Sequence, residues 1–209
     1  MKLIVISSAK TIINEENIFT VFFENGLQTL HLSKPKYSTP KLTELIKKIP
    51  AEYHNRIIVH SHHKLLLKFN LKGIHLTKKH KKRKFQTWFI LKLLKSRRSA
   101  FITSTSYTKL GSIVESFKEY SYVFLSPIFD SSTSKYQAGF TEHSLKGVLE
   151  KSRYHVIARG GIGVQHISKV KEIGFRGLAI RSDIWDGNDP VGVFMEYVNK
   201  YKELGIEIE

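Results

Sequence analysis

The chain has 209 residues, of which 41% are hydrophobic and 11% aromatic, a composition typical of a globular protein rather than a disordered one. It contains no cysteine, which excludes disulfides, thiolate metal sites and cysteine nucleophiles. Lys and Arg number 34 against 18 Asp and Glu, giving a formal net charge of +16. Such an excess favours nucleic acid or small phosphorylated ligands as partners, although a solvated basic surface gives the same count.

The chain begins with the apolar run Leu3–Ile6, which is too short for a secretory signal and indicates a buried first strand. No stretch approaches the roughly 18 apolar residues that a membrane span needs. We therefore expect a cytoplasmic protein without a membrane segment.

Short β-branched runs recur along the whole chain and predict eight strands. They are Leu3–Ser7, Leu27–Leu32, Arg56–His60, Gly73–Leu76, Ala100–Ser104, Tyr122–Leu125, His155–Ala158 and Gly177–Ile180. Amphipathic stretches between them predict eight helices. They are Glu15–Asn25, Pro40–Ile49, His62–Asn70, Phe85–Lys95, Thr108–Tyr120, His143–Lys151, Val164–Ile173 and Pro190–Leu204.

Eight strands that alternate with eight helices predict an α/β fold of the (β/α)8 TIM-barrel class, formed by one domain over residues 1–209. An open doubly wound sheet is the structural alternative. In a barrel, the residues that follow each strand form the functional mouth. Here those positions carry hydroxyls and cations and almost no carboxylates.

Two of these strand ends predict a phosphate site. Gly160 and Gly161 follow the seventh strand, and Arg181 and Ser182 follow the eighth. Glycines let backbone N–H groups approach a phosphate closely, and this pair of loops is the usual phosphate site of a barrel. A tight turn would also use Gly-Gly, so the arginine is what favours phosphate.

The spacing of four blocks resembles the thiamine phosphate synthases and their TenI relatives, which are (β/α)8 barrels. The blocks are Ile57–Ser61 with Gly73–Leu76, Ser126–Phe129, Arg159–Ile162 and Gly177–Ser182. The synthases join an aminopyrimidine pyrophosphate to a thiazole phosphate and release pyrophosphate with the help of magnesium. The resemblance therefore implies a protein of thiamine biosynthesis that binds small phosphorylated ligands.

The resemblance also implies roles for individual residues. The thiazole phosphate would sit on Gly160, Gly161, Arg181 and Ser182, with hydroxyls of Ser131 and Thr133 on the thiazole. Three further positions would serve the reaction. Lys34 would reach the leaving pyrophosphate, Thr105 would keep a hydroxyl near the reacting centre, and Lys135 would replace a family lysine. Apart from the resemblance, His60 is the best candidate for proton transfer, because it lies at a strand end.

The sequence departs from the family at the pyrophosphate side. His60-Ser61 replaces an Asn-Asp pair, and His80 replaces a second aspartate, so both magnesium carboxylates are missing. We therefore predict no metal ligand set, and a conventional magnesium site is doubtful because Mg²⁺ prefers anionic oxygen ligands. The basic run Lys78–Lys84 could instead neutralise pyrophosphate.

Three alternatives stay open. A TenI-like thiazole tautomerase would need a new base, because Pro127 stands where that branch has a histidine; His31, His60, His75 and His155 are the barrel histidines that could move protons. A catalytically weak paralogue would only bind thiamine phosphate. A nucleic-acid-binding protein, which we consider unlikely, would use the basic run. The sequence leaves a homo-oligomer open.

Overall fold

A closed barrel of eight parallel strands forms the centre of the fold, which confirms the predicted TIM barrel and rules out the open sheet. The computed structural model describes residues 1–98, 100–130 and 139–209. The strands are β1 Lys2–Ile6, β2 Thr29–Leu32, β3 Ile57–Val59, β4 Gly73–Leu76, β5 Ile102–Tyr107, β6 Tyr122–Leu125, β7 Val156–Arg159 and β8 Gly177–Ile180. Pairing of β8 with β1, in register Leu3 to Leu178, closes the barrel.

The helices of the described residues surround this barrel. They are α1 Glu15–Glu24, α2 Thr39–Lys48, α3 Lys78–Lys82, α4 Lys84–Arg97, α5 Gly111–Val114, α6 Glu142–Lys151, α7 Ile167–Ile173, α8 Ser182–Trp185 and α9 Pro190–Glu203. Local sequence fixes several starts: Ser38 accepts the Lys41 N–H before α2, and Asp189 accepts the Gly192 N–H before α9. None of the helices in the described parts of the chain is long and apolar enough to cross a membrane.

Two predicted helices were wrong. The stretch predicted as a helix over His62–Asn70 contains only a 3₁₀ helix, His63–Leu67, preceded by His62 in the left-handed region at φ 53°. In the stretch Thr108–Tyr120 only α5 is helical. After α5, a side chain from a later segment forms hydrogen bonds with the backbone carbonyls. The Tyr154 hydroxyl lies 2.8 Å from the Ser116 carbonyl and 2.6 Å from the Lys118 carbonyl, which holds this segment in a non-helical path.

The apolar core lies mainly between the strands and the helix layer. Leu3, Val5, Leu30 and Leu32 are among the strand residues that face the helices, and each is fully buried. The barrel interior holds a smaller apolar cluster. Its members are Ile4, Ile6, Ile58, Tyr122, Phe124, Ile157 and Ala179.

Candidate functional site

Three histidines converge inside the barrel above its small apolar cluster. Side chains alternate along a strand, so His31 on β2, His60 just after β3 and His75 on β4 all point inward. His31 Nδ1 lies 2.8 Å from His60 Nε2, and the rings of His60 and His75 stack with centroids 4.2 Å apart. Nitrogen atoms of the three rings lie within 4.8 Å of one another. Of the four predicted barrel histidines, three therefore lie together: His31, His60 and His75. The fourth, His155, is exposed just before β7 at the opposite end of the barrel.

Hydroxyl groups hold the rings of this histidine cluster, defined as His31, His60 and His75. The Tyr122 hydroxyl bonds His31 Nε2. Ser104 Oγ lies 3.0 Å from His75 Nδ1, and Ser106 Oγ lies 3.2 Å from His75 Nε2. These contacts fix ring orientation, because a hydrogen bond at one ring nitrogen sets the role of the other.

Burial lowers the pKa of all three histidines well below the usual range. The guanidinium of Arg159, which points inward at the end of β7, disfavours protonation of each ring further. Burial and the nearby Arg181 in turn lower the pKa of Arg159 to about 10. The imidazoles are therefore neutral at pH 7. Each ring keeps one nitrogen lone pair, which can accept a proton or bind a metal.

A cavity of about 600 Å³ opens at the ends of β2, β3 and β4. His60 forms part of its wall and thereby joins it to the histidine cluster. The other lining residues are Ser33, Pro35, Thr39, Ser61, His62, His63, Lys64, Thr77, Lys79, His80, Arg83, Gln86, Thr87 and Ile90. The cavity wall is thus cationic and rich in imidazole and hydroxyl groups, as the sequence predicts for this side of the mouth.

Two buried polar atoms in the cavity wall lack a hydrogen-bond partner among the described residues: Ser61 Oγ and His63 Nε2. His63 is 7% exposed, and its ring packs on that of His80 at 4.4 Å between centroids. Burial, with the nearby His80, lowers the pKa of His63 to about 3. An unpaired buried polar group costs free energy, and a ligand in the cavity reaches these two atoms only if the wall shifts, because both are shielded from solvent.

The basic run forms the short helix α3 beside this cavity, and Arg83 separates it from α4. The N–H and hydroxyl of Thr77 contact His80 Nδ1 at 3.2 and 2.9 Å, which fixes the start of α3. Lys79 and Arg83 line the cavity. Lys81 points elsewhere, because its ammonium donates to the Ser106 carbonyl at 3.0 Å. Two cations of the run are therefore available to an anion in the cavity.

The Gly-Gly turn after β7 packs against the loop after β6. The N–H of Phe129 donates to the Gly160 carbonyl at 3.1 Å. Gly160 and Gly161 have φ of 87° and 67°, in the left-handed region that favours glycine. A Cβ at Gly161 would also overlap the Phe129 carbonyl. Glycine is thus required here for loop packing, besides any approach by a phosphate.

The loop after β8 carries the other predicted phosphate contacts. Arg181 and Ser182 are exposed, and Ser182 begins α8. The hydroxyl of Tyr197 on α9 lies 2.7 Å from Asp183 Oδ2 and 3.2 Å from the Ile162 carbonyl. Tyr197 thereby links the loop after β7 to the loop after β8, and it holds the two predicted phosphate segments side by side.

The remaining predicted site residues have other surroundings. Lys34 is buried, and its ammonium donates to the Lys10 carbonyl at 2.7 Å and pairs with Glu15, so it reaches a pyrophosphate only by leaving Glu15. The Thr105 hydroxyl donates to the Leu76 carbonyl at 2.7 Å, which places it on the outward-facing side of β5. Ser131, Thr133 and Lys135 lie outside the described residues, and their roles stay predictions.

Magnesium does not fit the described cavity. None of the lining residues in the described ranges is an aspartate or glutamate, and Mg²⁺ prefers carboxylate and other oxygen ligands. The structure instead supplies imidazoles, hydroxyls and fixed cations. Lys79 and Arg83 are among the cations that line this cavity.

Sequence reasoning assigned no role at the site to Arg159 or Ser106. Both could have been found by strand parity. Ser104 and Ser106 share the inward face of β5, whereas Thr105 falls between them. Arg159 lies two residues after the inward-facing Ile157. The predicted β5 ended at Ser104 and so stopped short of the inward position that reaches the mouth.

The sequence matches the family model described as thiamine monophosphate synthase (TMP-TENI) over residues 3–184. Among solved structures, the thiamine phosphate pyrophosphorylase from Bacteroides thetaiotaomicron is 28% identical, covers 100% of both chains and superposes with a TM-score of 0.78. A search of curated protein sequences finds no significant match.

Two more distant structures show the fold alone. The thiamine phosphate pyrophosphorylase from Pyrococcus furiosus is 18% identical and superposes with a TM-score of 0.76 over 97% of this chain and 96% of its own. The (S)-3-O-geranylgeranylglyceryl phosphate synthase from Thermoplasma acidophilum is 13% identical, with a TM-score of 0.69 over 97% of this chain and 93% of its own.

Proposed function

The chain belongs to the thiamine monophosphate synthase (TMP-TENI) family, and on this premise we propose that it joins an aminopyrimidine pyrophosphate to a thiazole phosphate without carboxylate-held magnesium. The observation that carries the proposal is the cavity at the ends of β2 to β4. It lies where the family resemblance puts the pyrophosphate, and Lys79 and Arg83 stand there with no carboxylate among the described lining residues.

The two cations act on the leaving group. Pyrophosphate carries more negative charge as it departs, so fixed positive charges beside it stabilise the transition state more than the ground state. The backbone of α3, which starts at the cap Thr77, places Lys79 at the cavity, and Arg83 follows directly after the helix.

The second substrate binds across the mouth. The thiazole phosphate lies on the turn of Gly160 and Gly161, with Arg181 and Ser182 from the next loop. The link from Tyr197 to both loops supports this arrangement, because it fixes their spacing. Ser131, Thr133 and Lys135 keep their predicted roles at the thiazole side.

A protein that binds thiamine phosphate without turnover is the second candidate. The burial of Lys34 against Glu15 favours it, because the lysine expected at the leaving group is engaged elsewhere. In this reading the same two loops bind the product phosphate, and the cavity holds no reacting group.

Synthesis of thiamine phosphate from the two substrates tests the proposal directly. We expect product with magnesium and equally with chelator, and a loss of about 100-fold in Arg83→Ala and Lys79→Ala, the lower end of the range for one electrostatic catalytic contact. Lys151→Ala, at an exposed position on α6, is the matched control and should keep full rate. No product in either condition, together with calorimetric binding of thiamine phosphate, would instead support the binding protein.

Nucleic-acid binding is a weaker candidate that rests on one further observation. Helix α4 exposes Phe85, Trp88 and Phe89 directly after the basic run, and bases could stack on such rings. Oligonucleotide binding that falls steeply between two salt concentrations would favour it. We also propose a cytoplasmic location, which cell fractionation would test. Light scattering would test whether the protein is a homo-oligomer.

A further inference from the structure

The histidine cluster has the composition of a transition-metal site. We propose that His31, His60 and His75 bind one divalent transition metal ion, such as Zn²⁺ or Co²⁺, inside the mouth of the barrel. The nitrogen atoms that would coordinate it already lie within 4.8 Å of one another, on β2, on β4 and directly after β3 between them. The proposal stands apart from the proposed function, since metal binding is measured without either substrate.

The donor set selects the class of metal. Three imidazoles suit Zn²⁺, Co²⁺, Ni²⁺ and Cu²⁺, whereas Mg²⁺ and Ca²⁺ require oxygen ligands. Three protein ligands leave an open position, as in catalytic zinc sites, whereas structural zinc sites have four. The chain has no cysteine that could complete a structural site.

Outer contacts orient the rings in the manner that metal sites need. Ligating histidines usually bond an acceptor through the second ring nitrogen. Tyr122 bonds His31 Nε2, which leaves His31 Nδ1 directed at His60 Nε2. One nitrogen of His75 can keep its serine, Ser104 or Ser106, while the other turns its lone pair to the metal.

Binding requires a small rearrangement. His31 Nδ1 and His60 Nε2 are 2.8 Å apart, bridged by a shared proton. Tetrahedral Zn²⁺ with bonds of about 2.0 to 2.1 Å separates its ligand nitrogens by about 3.3 Å. The metal therefore takes the place of this proton, which moves to the other nitrogen of the donor ring, and the two rings move apart by about half an ångström.

The cavity gives the metal a route in and a fourth ligand. His31 and His75 are 0% and 2% exposed, but His60 lines the cavity, so an ion enters along His60. Arg159 lies close enough to act electrostatically on all three rings. A second cation beside the metal favours an anion, such as hydroxide or a phosphate oxygen, in the open position.

Cobalt titration of the untagged, chelator-stripped protein tests the site. We expect visible ligand-field bands that saturate at one equivalent of Co²⁺ and disappear when Zn²⁺ is added. His31→Gln and His75→Gln should weaken binding by more than about 100-fold, since even the loss of an outer contact costs about 10- to 100-fold. Tyr122→Phe, which removes only the outer hydroxyl, should weaken binding within that 10- to 100-fold range.

His155→Gln is the matched control, because His155 is exposed at the far end of the barrel, and it should bind as the wild type does. Circular dichroism and thermal unfolding without metal show which variants are folded. X-ray absorption of the wild-type zinc protein needs no variant and should count three imidazole ligands. The proposal is overturned by absence of binding, by binding that survives in both His31→Gln and His75→Gln, or by fewer than three imidazoles.

Discussion

Lys34 and Glu15 form an ion pair in which the two side chains are 0% and 2% exposed. The pair joins the end of β2 to the first turn of α1, where neither charge can reach water. Burial raises the pKa of Glu15 and lowers that of Lys34, while each partner opposes the effect of burial on the other. The pair therefore remains charged only because both members are present.

We predict that Lys34→Met lowers the free energy of unfolding by about 3 to 5 kcal/mol, because it leaves a buried carboxylate without a cation. The double variant Lys34→Met/Glu15→Leu should recover most of this loss, since it removes both charges. Lys47→Met breaks the exposed pair with Glu44 and should leave stability unchanged. Urea unfolding measures all three; equal effects of the buried and exposed changes would contradict the prediction.

Gly161→Ala should disrupt the packing of the loop after β6. The residue has φ of 67°, and an added methyl group would overlap the Phe129 carbonyl. The left-handed backbone alone costs about 1 to 3 kcal/mol for a residue with a side chain. Thermal unfolding measures the loss, and calorimetry should show weaker binding of thiamine phosphate. Gly187→Ala, where a Cβ meets nothing within 4 Å, should match the wild type in both experiments.

Stability should depend on pH through His63. Its folded pKa is about 3, below the ordinary value of 6.5, so the unfolded chain binds a proton first as the pH falls. The resulting stability is fully present above pH 6.5 and is lost between 6.5 and about 3, at about 1.4 kcal/mol per pH unit.

Unfolding of wild type and His63→Gln at a series of pH values isolates this contribution. Below pH 6.5, the free energy of unfolding should change less steeply with pH in His63→Gln than in the wild type. The difference in slope should equal the contribution of one histidine, whatever the absolute stability of the variant. His143→Gln, at an exposed position, should keep the wild-type slope. Identical slopes in all three proteins would show that His63 is not buried as described.

Tyr197→Phe should weaken phosphate binding at the two loops that the Tyr197 hydroxyl links. It removes the hydroxyl that contacts Asp183 and the Ile162 carbonyl, and a hydrogen bond to a charged group contributes about 1.5 to 3 kcal/mol. Tyr201→Phe is the control, because the Tyr201 hydroxyl is 3.4 Å from the Lys2 carbonyl at the other end of the barrel. Equal phosphate affinity in the two variants would argue against a link between the loops.

Strand positions could be predicted because buried parallel strands are continuous apolar runs. Ile57–Val59 and Tyr122–Leu125 were found from this pattern alone, and the barrel followed from their alternation with helices. Helices were harder to predict where tertiary contacts determine the backbone conformation. Nothing near Thr108 in the sequence indicates that a distant tyrosine will capture the backbone carbonyls.

Side-chain partners at the site were less predictable than its location. The Gly-Gly turn and the basic side of the mouth could be placed from strand ends. The pairing of Lys34 with Glu15 could not, because it depends on how α1 docks against β2. The two strands that carry His31 and His75 could be predicted from the sequence. The convergence of these two side chains with His60 could not, because it depends on the geometry of the closed barrel.

The division of the strands into two faces separates the constraints on this protein. The outward side chains of Leu3, Val5, Leu30 and Leu32 pack against helices and carry most of the apolar core. The inward positions near the mouth hold histidines, serines and an arginine, and few of them add to that core. Substitutions at the inward positions can therefore change the ligand or the reaction while the scaffold keeps its stability.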